Sequence, residues 1–156
     1  MSRLLFLLLA GCAPLATVLD PPLAQLARWQ DNPALAAAQP VVACADGHPA
    51  CQQLHARRAE ACMARAMAAR APRAACPGLS ARGDLDCALD AYHAARRISA
   101  NPALAAGHAQ ALICAGYLSA NADHPRFGRA ALEAAQAAGS TLLTTRAQAL
   151  IDGAPR

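Results

Sequence analysis

Val18, Val41, Val42, Ile98, Ile113 and Ile151 are all the Val and Ile in a chain of 156 residues. Strands draw on β-branched and aromatic side chains, and Phe, Trp and Tyr together make up only 3% of the chain. The hydrophobic fraction is nonetheless 56%, and Ala, the best helix former, supplies most of it. The fold class that follows is all-α. An Ala-rich core buries little area per residue, since burial yields only about 25 cal/mol per Å2 of apolar surface. Close helix approach and cross-links are the ways to offset a thin core.

Breakers divide the chain into helices. Pro21-Pro22 opens a helix over 22–30, with Leu23, Leu26 and Trp29 at helical spacing. Asn32-Pro33 starts a second over 33–44, which Pro40 kinks or ends. A loop at Asp46-Gly47-His48-Pro49 leads into a long helix over 49–70. A loop through 82 follows. Asp84 is placed to cap a helix over 84–99. Asn101-Pro102 turns the chain into 102–119, and helices over 126–138 and 140–152 complete the series, with Gly139 and Ser140 as stop and start.

The start of the chain is of a different kind. Met1-Ser2-Arg3, the apolar run Leu4 to Leu9 and Leu9-Ala10-Gly11-Cys12 give a positive region, an apolar region and small residues in the order of a secretion signal. The run is too short for a membrane span, which needs about 20 apolar residues, and Pro14 follows it. An ordinary signal cut later, after Ala16, and an internal helix are the other readings. Leu9 to Cys12 resembles a bacterial lipobox. That resemblance implies a signal peptide over 1–11, lipidation of Cys12, a tether over 12–20 and a helical domain over 21–156. It places the domain at the cell envelope, anchored in the lipid bilayer through acylated Cys12. With Ala13 rather than Asp after the cysteine, the pattern implies the outer membrane facing the periplasm in a Gram-negative cell.

Cysteine usage agrees. Of seven Cys, setting Cys12 aside leaves Cys44, Cys51, Cys62, Cys76, Cys87 and Cys114, an even number suited to a disulfide framework. Cys44 and Cys51 flank Asp46-Gly47, Cys62 and Cys76 flank a helix end, and Cys87 and Cys114 lie symmetrically about Asn101. The favoured pairing is therefore 44–51, 62–76 and 87–114. A rival nests 51–87 around 62–76 and leaves 44–114. Cys51 and Cys62 cannot pair within one helix, where eleven residues span about 16 Å against the roughly 7 Å a disulfide allows. A metal site at His48, Cys51 and His55 is the weaker reading, because Pro49 starts the helix after His48. No metal and no cofactor are expected.

The chain has no Lys; without Arg3, thirteen Arg face ten acidic residues, a net of +3. Arg57, Arg58, Arg65, Arg70 and Arg73 cluster with Glu60 as the only acid among them, a pattern best read as a solvated helix face. Nucleic-acid binding does not fit the scarcity of aromatics for base stacking.

Asn-Pro-Ala-Leu-Ala-Ala occurs at 32–37 and again at 101–106, an offset of 69, about twice a 34-residue helical-repeat period. Gly83-Asp84-Leu85-Asp86-Cys87-Ala88-Leu89-Asp90-Ala91-Tyr92-His93-Ala94-Ala95 resembles the second half of a tetratricopeptide repeat: a Gly-Asp turn, then small Ala88, aromatic Tyr92 and small Ala95. A weaker copy runs through Phe127, Ala130, Ala134 and Ala137. The resemblance implies antiparallel helical hairpins, a short tetratricopeptide-like solenoid, with a disulfide-stapled helical bundle as the plainer form of the same class. It also implies a protein-binding scaffold or adaptor with an envelope protein as partner. First helices would line its groove, which makes His55, Arg58, Arg65, His108 and Ala111 the candidate partner-binding residues. The alternative is a small periplasmic inhibitor or immunity-type lipoprotein, with 71–82 as its protruding loop. No catalytic constellation is present: there is no GxSxG, HExxH, P-loop or paired Glu, and Asp84, Asp86 and Asp90 read as charges near a helix start. An enzyme is not expected.

Overall fold

The structure, a computed structural model, describes residues 20–45 and 47–153. The leader, Cys12 and the tether up to residue 19 lie outside the described residues. Among the described residues there are seven α-helices, two short 3-10 turns and no strand.

Helix α1, Pro21–Asp31, starts where Asp20 accepts a hydrogen bond from the Leu23 amide at 3.1 Å. Asp20 Oδ2 also lies 2.8 Å from His48 Nε2. His48 in turn caps α3, Pro49–Ala68, by accepting from the Ala50 amide at 3.2 Å. One residue pair therefore joins the starts of two helices. The helix expected over 33–44 is only α2, Ala34–Ala38, and the chain leaves it in extended form before Pro40. Gln25, 3% exposed, compensates for the lost helix. Its amide donates to the Pro40 carbonyl at 2.7 Å and accepts from the Val42 amide at 2.9 Å.

After a 3-10 turn at Leu79–Ala81, helix α4 spans Arg82–Ile98. Contrary to the expectation from sequence, Asp84 does not cap it. The helix begins two residues earlier without a side-chain cap, and Asp84 sits in its first turn, 2.7 Å from the Arg65 guanidinium of α3. Helix α5, Pro102–Tyr117, is capped by Asn101, which accepts from the Ala103 amide at 2.8 Å. The two copies of Asn-Pro-Ala-Leu-Ala-Ala thus diverge: the second opens a sixteen-residue helix, whereas the first opens a five-residue one without a side-chain cap. A 3-10 turn at Asn121–Asp123 precedes α6, His124–Ala137. Gly139, at φ +65°, ends α6; the Ser140 amide donates to the Ala135 carbonyl, and the Ser140 hydroxyl then accepts from Leu143 to start α7, Thr141–Ile151.

Successive helices pack on one another, α3 on α4, α4 on α5, α5 on α6 and α6 on α7, with further contacts between α3 and α5 and between α5 and α7. The core follows the same order. Leu26, Trp29, Ala36, Ala50 and Leu54 join α1, α2 and α3. Cys62, Met63, Leu85, Ala88, Tyr92, Leu104 and Ala111 join α3, α4 and α5. Ala109, Leu112, Ile113, Ala131, Ala134, Leu143 and Ala147 join α5, α6 and α7. Each cluster is shared by three consecutive helices, so cohesion passes along the chain from neighbour to neighbour.

Small residues set the spacing. Ala88 and Ala95 are fully buried, and Tyr92 lies against Gly107, where an added Cβ would fall 2.4 Å from the ring. In α6 the small residues are buried in a different register from the one expected. Ala130 and Ala137 are exposed, whereas Gly128, Ala131, Ala134 and Ala135 are buried. A Cβ on Gly128 would meet Ile151 Cγ1 at 2.5 Å and the Ala147 carbonyl at 3.1 Å.

The disulfides are Cys44–Cys51, Cys62–Cys87 and Cys76–Cys114, with Cα separations of 5.9, 5.9 and 5.2 Å. The first is the expected pair; the expected 62–76 and 87–114 are not formed. Symmetry about Asn101 puts Cys87 and Cys114 at the same level of the α4–α5 hairpin, but level does not fix azimuth. Tyr92 and Gly107 occupy the contact between those helices, and Cys87 faces α3. The segment after α3 then crosses to α5, where Cys76 reaches Cys114. The two bonds interleave along the chain.

Candidate partner-binding groove

Helix α5 is in contact with α3, α4, α6 and α7 and carries no charged residue. At about 100° per residue, Gln110, Ile113 and Tyr117 fall within about 60° of one another on it. His108 falls about 170° away from the centre of that set. Different stretches of the helix bound different cavities.

The first cavity, of 510 Å3, is lined by Arg73, Ala74, Ala75 and Cys76 from the segment after α3, by Gln110, Ile113 and Tyr117 of α5, and by Arg146 of α7. Its wall includes the Cys76–Cys114 disulfide, with the Gln110 amide 3.3 Å from Cys114 Sγ. The Tyr117 ring packs edge-on against His124 at 6.2 Å between centroids. The Ala74 amide donates to the Ala71 carbonyl at 3.1 Å, closing a turn with Pro72 second and Arg73 third. Arg73 has φ +66° there, the conformation that such turns usually assign to Gly. No acidic residue is among the lining residues. The groove is cationic and polar at its edges, with Ile113 and a disulfide between.

The second cavity, of 330 Å3, is lined by His93, Arg96 and Arg97 of α4, by Asn101, Pro102 and Ala105 at the start of α5, and by Glu133 and Ala137 of α6. Here charge is partly balanced by Glu133. His108 lies beneath this side, accepting at Nδ1 from the Arg96 guanidinium at 2.8 Å. Burial, together with the charge of Arg96 and the neighbouring His93, pushes the His108 pKa down to about 4.

The five residues expected to meet a partner are not brought together. His55 lines a separate hollow with Cys44, Ala94, Arg97 and Ile98, and burial, then Arg58, lowers its pKa. Arg58 donates to the backbone carbonyl of Gln39 beyond the end of α2, with the Ala36 carbonyl at 3.5 Å. Arg65 is engaged by Asp84. His108 faces the side of α5 away from the groove. Ala111 is 0% exposed and belongs to the core between α3, α4 and α5, which leaves it no surface for a partner. The groove residues of α5 and α7 that sequence reading missed are Gln110, Ile113, Tyr117 and Arg146. The available signal was the Gln110-Ile113-Tyr117 spacing, a polar-edged stripe on an otherwise apolar helix.

Among the described residues no group of three His, Cys, Asp or Glu could hold a metal ion, and no helix is long and apolar enough to cross a membrane. No protein-family model matches the chain, and no curated protein or solved structure matches it.

Proposed function

We propose that this chain is a membrane-tethered helical-repeat lipoprotein of the cell envelope that binds another protein as a scaffold or adaptor. The observation that carries the reading is the stack in which each helix meets only its near neighbours and α5 and α7 leave a groove beside the 73–76 segment. Stacked helical pairs hold partners on surfaces of this sort. The pairing of Cys44, Cys51, Cys62, Cys76, Cys87 and Cys114 supports an oxidising compartment. The lipobox-like Leu9 to Cys12 supplies the anchor, with the outer membrane as the destination in a Gram-negative cell. Tetratricopeptide-like packing draws support from buried Ala88, Tyr92 and Ala95.

The test is crosslinking followed by affinity capture of the lipidated protein from its own envelope. One envelope protein is expected to recur in the captured complexes. Repeated absence of any stable complex would remove the scaffold reading. Exchanging Cys12→Ala is expected to move the protein from the membrane fraction to the soluble fraction. If it stays with the membrane, the lipid anchor is wrong.

A second reading, an inhibitor or immunity-type lipoprotein, draws on Leu79. It is 72% exposed and lies three residues beyond Cys76, which is fastened to α5. That reading requires one tight enzyme target whose binding is lost on Leu79→Ser.

A further inference from the structure

We propose that the groove at Arg73 and Arg146 is the docking site for an acidic stretch of the partner, one of whose Asp or Glu side chains meets these guanidiniums. This rests on the reading of the chain as a protein-binding scaffold.

Charge is the first argument. Four arginines elsewhere have internal acceptors: Arg65 has Asp84, Arg82 has Asp86, Arg58 has backbone carbonyls and Arg96 has His108. The groove holds two arginines and no acidic residue among those lining it. A carboxylate placed there gains charge-assisted hydrogen bonds, and partial enclosure strengthens them relative to open surface.

Backbone conformation is the second argument. Arg73 adopts a left-handed φ of +66° in a turn where Gly would be unstrained. Such outliers concentrate at ligand-contacting sites, and this one places its side chain in the groove wall.

Extent is the third. From Gln110 to Tyr117 the groove follows α5 for about 10 Å, the span of about three residues of extended chain. The volume of 510 Å3 falls within the roughly 300–1,000 Å3 of ordinary ligand sites. A segment passing along α5 fits this shape, with an acidic side chain directed at the arginines.

The test uses the full-length chain in detergent micelles and fluorescence anisotropy. The probes are pools of acetylated, amidated decapeptides with a central Glu-Leu and the other positions random. Matched pools carry Gln or Lys in place of Glu. A further pool lacks Glu and Asp but has a free C-terminal carboxylate, and glutarate is a small competitor. The Glu pool is expected to bind at least tenfold more tightly than the Gln and Lys pools and to weaken with added salt. Arg146→Gln and Arg73→Gly are each expected to lose most of that preference. Because Gly suits the turn, Arg73→Gly should keep the wild-type thermal midpoint, which separates lost recognition from lost fold.

Equal binding of Glu and Gln pools, or variants that bind as wild type does, would overturn the acidic docking site while leaving a scaffold with an uncharged preference. Binding of the free-terminus pool alone, or of glutarate alone, overturns it as well. No binding in any peptide arm counts against both the site and the scaffold reading.

Discussion

His108 shows how a single side chain links packing to solution behaviour. Its imidazole accepts from Arg96, so only the neutral ring suits the site, and its pKa falls from 6.5 to about 4. The unfolded chain therefore binds a proton that the folded chain refuses between those values. The contribution to stability is present above about pH 6.5 and is lost as pH falls toward 4. Discounted for partial solvent screening, it is on the order of 1–2 kcal/mol. His108→Asn keeps an acceptor for Arg96 but cannot titrate. Its melting temperature should fall less than that of wild type between pH 7 and pH 4.5; parallel falls would refute the assignment. Neither the low pKa nor the partner was legible in the sequence, because Arg96 lies twelve positions away and meets His108 only across the α4–α5 turn. By contrast, the helix starts after Asn101 and at Ser140 were legible, since a cap acts through amides two or three residues ahead. Asp84 misled for the same local reason: its acceptor role was taken by distant Arg65.

At the scale of elements, small residues decide how closely helices meet. Gly128 has the Ala147 carbonyl 3.1 Å and the Ile151 amide nitrogen 3.0 Å from the place a Cβ would occupy. Backbone atoms cannot swing aside as a side chain can. Gly128→Ala should therefore destabilise by about 1–3 kcal/mol through overpacking, although Ala favours the helix intrinsically by up to about 1 kcal/mol. A urea melt that is unchanged, or shifted upward, would show that α6 and α7 can separate without loss. Most helix boundaries were readable from Pro, Asn and Gly, the end of α2 and the start of α4 excepted, yet the buried register of α6 was not. In an Ala-rich helix the buried and exposed positions carry the same residue, so Ala130 and Ala131 are indistinguishable in sequence and opposite in burial. The candidate residues on α5 show the same ambiguity: His108 and Ala111 lie off the stripe of Gln110, Ile113 and Tyr117 that lines the groove.

For the molecule as a whole, cross-links stand in for core volume. On loop-closure reasoning, removing Cys44–Cys51, Cys62–Cys87 or Cys76–Cys114 as paired Ala substitutions should cost about 2.5, 3.5 and 4 kcal/mol, in the order of their separations of 7, 25 and 38 residues. Denaturant titration of the three double variants checks the order, and a 44–51 variant that loses the most would break it. Turns located the cysteines, but pairing depended on which side of each helix they leave, and that is set by packing. The interleaving of the two longer bonds also governs what the domain does under load. Along the chain, Cys62 and Cys114 could draw apart by about 180 Å if fully extended. Through the bonds, the covalent route runs from Cys62 to Cys87, back to Cys76 and across to Cys114, and lets them draw apart by only about 50 Å. A protein pulled at its two ends would lengthen in α1, α2, α6 and α7, while the 73–76 segment stayed fastened to α5. Force spectroscopy should show the missing contour length appear only after a reductant is added.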